Sequence, residues 1–185
     1  MSADGVDPVQ FTALMRRWLA PDAPVNPVHD LEAGRLPVLE FERLLTTELR
    51  RADGSELAAD GLVARMLGGF RPAAEMTGVV ARARASGIRT ALLSNSWGLD
   101  YPREGWATLF DAVVISGEIG MRKPDGPIYR HAAALLDLPP EQCVFVDDLE
   151  HNVRGAVAAG MVGIHHTDVA TTIGELEALF DRQLR

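Results

Sequence analysis

The sequence is poor in cysteine, in lysine and in long apolar runs, and each shortage excludes something. A single cysteine, Cys143, rules out an internal disulfide framework, and its place in an apolar stretch marks it as a buried structural thiol. No apolar run approaches the ~18 residues of a membrane span. The opening MSADGVDPVQ has neither the basic nor the apolar part of a signal peptide, so a cytoplasmic protein is expected. Basic charge is also short. The 18 Lys and Arg against 26 Asp and Glu leave a formal charge of −8, which disfavours nucleic-acid and anionic-membrane partners. Among those basic residues only Lys123 is a lysine, as if one place needed a compact point charge rather than a planar fork. Internal repeats and low-complexity tracts are absent. What remains is ordinary globular composition, 47% hydrophobic and 24% charged. The 185 residues suit one compact unit or a core with a small accessory lobe.

Texture divides the chain near residue 72. The first part reads as helices only. Asp7-Pro8 opens a helix with Phe11, Leu14, Met15 and Trp18 on one face. The Pro-rich residues 21–30 form a loop, and Pro37 opens a second helix carrying Phe41, Leu44, Leu45 and Leu49. Ser55 is expected to cap a third, bearing Leu57, Leu62, Val63 and Leu67 and stopped by Gly68-Gly69. After Arg71-Pro72, helices predicted over 73–86, 126–136, 150–159 and 173–184 alternate with apolar strands over 88–93, 112–115, 144–146 and 162–165. That alternation indicates an α/β core, a parallel sheet covered by helices. The expected organisation is a helical lobe over 1–72 and an α/β lobe over 73–185. Trp18, Trp97 and Trp106 are expected to be packing residues, and the five histidines show no metal-ligand spacing.

Open parallel sheets bind ligands outside the carboxyl ends of their strands, and three polar clusters fall there. Ser94-Asn95-Ser96 offers a hydroxyl and backbone N–H groups to an oxyanion, or is simply a turn. Arg122-Lys123-Pro124-Asp125 places an ammonium beside a proline, with Asp125 as N-cap of the next helix. Asp147-Asp148 ends the apolar Val144-Phe145-Val146. Adjacent carboxylates suit a hard cation such as Mg²⁺, while a capping Asp148 beside a solvated Asp147 is the plainer alternative. Asn152, a turn later, adds a supporting contact or a solvated helix position.

These clusters carry a resemblance. ALLSNS, GMRKPDGPIYRHAA and CVFVDDLEHNVRGAVAAGM resemble the second, third and fourth motifs of the haloacid dehalogenase-like (HAD) hydrolase superfamily, in its helical-cap (C1, subfamily IA-like) branch. The resemblance implies a Rossmann-like core with a helical cap that closes over the substrate. It implies a Mg²⁺-dependent phosphatase of a small phosphorylated metabolite. Ser94 and Asn95 would hold the phosphate, Lys123 would screen the charge of phosphate and nucleophile, and Asp147 and Asp148 would bind the metal. A dehalogenase, which needs no metal, fits the acid pair less well.

The first motif of that family, an apolar strand ending in Asp-x-Asp, has no counterpart. Asp4-Gly5-Val6-Asp7 follows no apolar strand, and neither aspartate is read as the nucleophile. The expectation is an N-terminally truncated chain, inactive or impaired, since losing a nucleophile costs ~10⁴–10⁶ in kcat. The family's first strand is central, so its two neighbours would either pair directly into a four-stranded sheet or accept a strand from another copy or chain. The alternative function is a non-catalytic remnant of the fold that binds a phosphorylated ligand or a protein partner.

Overall fold

The computed structural model describes residues 5–20, 25–68, 73–101 and 103–185. Asp4, residues 21–24, Gly69 and the Arg71-Pro72 boundary lie outside them. Two compact units emerge. The first takes in the described residues up to 68 together with 95–100 and 117–120. The second takes in 73–94, the described part of 101–116, and 121–185.

In the first unit, α1 (Pro8–Trp18) starts where Asp7 accepts from the Val9 and Gln10 amides. A short α2 (Pro27–Glu32) occupies part of the expected loop. Asn26 caps it through the His29 amide, and Pro27 stands at its first position, the same cap-and-proline logic as α1. Next come α3 (Val38–Glu48) and α4 (Leu62–Leu67). The third predicted helix is therefore only half formed. Ser55 caps nothing: its hydroxyl donates to Asp53 Oδ1 at 2.7 Å and its amide to the same oxygen at 2.9 Å, closing a turn instead. Phe41, Leu45, Leu49 and Leu62 form the core with Leu14, Trp18 and Leu31, and Trp97 packs against it. The α4 amides are held by a residue far off in sequence. Glu42, 2% exposed, accepts from Val63 at 2.9 Å and Gly61 at 3.2 Å.

The second unit begins with α5 (Ala74–Ala85), which ends at Gly87 with φ 87°. It continues through β1 (Ala91–Ser94), α6 (Trp106–Leu109) and β2 (Ala112–Ile115). The one-turn α7 (Ser116–Ile119) crosses into residues counted with the first unit. Then follow α8 (Gly126–Leu135), a 3-10 turn at Pro140–Gln142, β3 (Val144–Asp147), α9 (Glu150–Ala158), β4 (Val162–His165) and α10 (Val169–Phe180). The last helix starts earlier than predicted because Asp168 caps it, and Asp181 at φ 50° ends it. Asp125 stands at the N-cap of α8 without making a side-chain cap bond. Cys143 is buried, as its apolar setting implied. None of the described helices is long and apolar enough to cross a membrane.

The four strands pair in parallel, apart from an isolated antiparallel bridge between Val6 and Arg51 in the first unit, and direct pairing of β1 with β3 does not occur among the described residues. β1 pairs with β2, Ser94 opposite Ile115, and β3 pairs with β4, Asp147 opposite His165. The sheet is two ribbons rather than one sheet of four. Leu92, Leu93, Val144 and Val146, apolar enough for a sheet centre, are only half-buried.

The Glu42 contact gives a first prediction. Glu42→Ala leaves the Val63 amide buried and unpaired, which costs about 1–3 kcal/mol. Denaturant unfolding should show that loss, and Glu42→Gln, which keeps one acceptor oxygen, should show less of it.

Candidate active site

The site grows from the ends of β1 and β3. The lysine loop, residues 121–125, runs between α7 and α8 with a cis Lys123-Pro124 bond. Lys123 is 7% exposed, and its Nζ donates to Asp147 Oδ2 at 2.6 Å and to the Leu93 carbonyl at 3.1 Å. The ammonium also lies 5.4 Å from the centre of the Phe145 ring. It therefore stands between the C-terminal ends of the two ribbons and ties them together there. Phe145 and Asp147 share a strand face because strand side chains alternate.

The two carboxylates have different surroundings. Asp147 accepts from three donors: Lys123, the Leu149 amide at 2.8 Å, and Asn152 Nδ2 at 3.1 Å. Burial by itself would raise the Asp147 pKa. The Lys123 ammonium, helped by the Leu149 and Asn152 donors, outweighs burial and holds this carboxyl below the ordinary aspartate value. Asp148 is exposed, and its carbonyl lies 3.0 Å from His165 Nε2. Asn152 is 2% exposed. Its Oδ1 is buried without a hydrogen-bond partner among the described residues. Tyr129, fully buried, donates from its hydroxyl to the Asn152 carbonyl at 2.7 Å and stacks edge-on against Phe145 at 5.1 Å. Burial above all, then the Asp147 charge, pushes the Tyr129 hydroxyl far above its usual pKa, so it serves as a permanent donor.

Of the residues singled out in the sequence, Lys123 and Asp147 meet directly, and Asn152 joins them. Ser94 closes β1, one residue beyond the carbonyl that Lys123 holds. Asn95 follows it but is counted with the first unit. Asp148 neighbours the group without sharing the contact to the ammonium. Sequence reasoning missed the Leu93 carbonyl, which no side-chain pattern reveals. It also missed Phe145, which the period of two places beside Asp147.

A family profile described as haloacid dehalogenase-like hydrolase matches residues 27–160, and the chain belongs to that family. A sesquiterpene phosphatase of Aspergillus oryzae is 37% identical over 131 residues, covering 68% of this chain and 65% of that protein. A phosphoserine phosphatase of Thermus thermophilus is 39% identical over 93 residues, 47% of this chain and 37% of that protein. The chain thus spans less than two thirds of the length of these curated relatives. A predicted HAD-like hydrolase from Porphyromonas gingivalis superposes with a TM-score of 0.68 at 24% identity, covering 98% of this chain and 94% of that one. It shares the fold.

The buried pair predicts a specific energetic pattern. Lys123→Met strands the Asp147 carboxylate and should cost about 3–5 kcal/mol, while Lys123→Met/Asp147→Leu should recover most of it. Chemical denaturation of the four proteins of that cycle measures the coupling. The pair also sets an acid limit. A carboxyl whose folded pKa is lowered contributes stability that is complete above the unfolded value, about 3.9 for Asp, and is lost as pH falls through the folded value. Thermal midpoints should therefore hold steady through pH 5 and drop below about pH 4. In Asp147→Asn that drop should be smaller.

Proposed function

We propose that the second unit is a Mg²⁺-dependent site for phosphate monoesters of small metabolites. The observation that carries this reading is the buried Lys123 ammonium at the C-terminal ends of β1 and β3, where a dianionic phosphoryl group meets a fixed cation. The Ser94 hydroxyl, at the end of β1, holds a phosphate oxygen. The donor set fits magnesium: Asp148 is an exposed carboxylate, and Asn152 Oδ1 is a buried oxygen without a hydrogen-bond partner among the described residues. Magnesium needs only one or two carboxylates, with water and substrate oxygens completing its shell. Asp148 is the residue that holds it, and Asp147 serves as counter-ion to Lys123 rather than as a second ligand. Bound there, the metal supplies Lewis-acid neutralisation of phosphate charge. A HAD enzyme of Bacteroides thetaiotaomicron, 17% identical with a TM-score of 0.62, has been solved with magnesium and inorganic phosphate, which lends the metal support.

Turnover by the covalent route needs an attacking carboxylate. Asp147 is already engaged by Lys123, the Leu149 amide and Asn152, so it is not poised to attack. This favours a second reading, in which the chain binds phosphorylated ligands without hydrolysing them.

Calorimetric titration decides the binding. Inorganic phosphate should bind more tightly with Mg²⁺ present. Asp148→Ala should remove that enhancement, and Lys123→Met should weaken phosphate at least tenfold with or without metal. No phosphate binding by the unaltered chain would sink the proposal. Release of p-nitrophenol from p-nitrophenyl phosphate separates the two readings. Hydrolysis by the chain alone that vanishes in Asp148→Ala supports the enzyme. Hydrolysis only after adding an apolar peptide ending in Asp-x-Asp supports a site that lacks its attacker.

A further inference from the structure

Helix α9 carries a bare patch where it meets the lysine loop. A Cβ on Gly155 would lie 2.4 Å from the Pro124 carbonyl oxygen, 2.8 Å from the Pro124 Cβ and 2.9 Å from the Tyr129 hydroxyl. Non-bonded carbon atoms in ordinary contact stand about 3.5–4.0 Å apart. Any side chain here overlaps the loop, its ring and a buried hydroxyl together. Glycine weakens a helix interior relative to alanine, so its presence in α9 has a packing reason.

The other side of the helix packs on β4, where a Cβ on Gly163 would come within 2.6 Å of Val153 Cγ1 and 2.8 Å of Val157 Cγ2, although Val157 is itself half exposed. Val153 and Val157, four residues apart, form that face, and Asn152 and Gly155, three apart, form the other. α9 is thus wedged between β4 and the lysine loop. Tyr129 fastens the near side through the Asn152 carbonyl. Pro124 is the residue next to Lys123, so a shift of its seat moves the backbone from which the ammonium reaches Asp147 and the Leu93 carbonyl.

The geometry points to Gly155 as a positioning residue for Lys123. Its missing side chain sets how closely Pro124 seats on α9, and thereby where the ammonium stands between Asp147 and the Leu93 carbonyl. The consequence for ester binding rests on the phosphate reading above, whereas the placement of the ammonium is measured without any substrate.

The lone lysine makes the test direct. Protein grown with ¹³C,¹⁵N-lysine gives one side-chain signal, that of Lys123. In Gly155→Ala the ¹³Cε and ¹⁵Nζ resonances should move toward free-lysine values, and phosphate affinity should fall at least tenfold. Gly174→Ala in α10, where a Cβ meets nothing within 4 Å, should leave both unchanged. Tyr129→Phe/Gly155→Ala removes one of the three overlaps. It should regain part of the thermal midpoint lost in Gly155→Ala while its lysine signal stays displaced, because the Pro124 carbonyl still blocks the seat. Unmoved lysine resonances in a folded Gly155→Ala protein would overturn the proposal. So would failure of both Gly155 variants to fold beside a folded Gly174→Ala, which would make the patch a requirement of folding alone. If unaltered protein binds no phosphate, the ester reading fails, and the lysine signal still judges Gly155.

Discussion

A buried ammonium is the constraint that organises the second unit. Removing an ion from water costs several kcal/mol, and the loss is recovered only when partners are close and well aimed. Lys123 and Asp147 have side chains 9% and 7% exposed, so each depends on the other. The elements around them supply what the pair requires. β3 brings the carboxylate and the Phe145 ring face, and β1 brings a carbonyl at its last turn of chain. α9 brings the Asn152 amide, and α8 brings Tyr129 to fix α9 in turn. The same cation links two ribbons that share no backbone pairing among the described residues.

Adjacent acids at a strand end face a like-charge problem, and their different surroundings resolve it. Asp147 is the last residue of β3, and Asp148 lies in the bend that follows. Asp147 turns toward the lysine and is saturated by donors, and Asp148 is left exposed. Two residues identical in type thus receive different electrostatic settings. One is a buried anion matched by a fixed cation, and the other stands exposed to water.

Much of this was legible in the residues. Short, mostly apolar runs of three to six residues located the four strands found among the described residues, and Lys123 stood out by being alone of its kind. Helices whose start depends on a cap were read well where cap and proline adjoin, as at Asp7-Pro8. They were read poorly where a capping side chain had competing work, as at Ser55, which closes a turn with Asp53. The short α2 was hidden inside a stretch whose prolines suggested only a loop, although Asn26-Pro27 repeats the Asp7-Pro8 signal. The different duties of Asp147 and Asp148 could not be read, because they depend on which neighbour arrives from 24 residues away in the chain. The Leu93 carbonyl and the bare face of Gly155 belong to the backbone, which leaves no pattern of side chains to find.

The shortage of lysine has a chemical consequence for the surface. Apart from Lys123 the 18 Lys and Arg side chains are all guanidinium groups, which reagents aimed at primary amines leave untouched. Acylating the side-chain amine would change the formal charge by one in a molecule already at −8, and would do so at a cation that contacts both ribbons. The rate of that acylation therefore reports the breathing of a single ion pair, with the rest of the side chains silent.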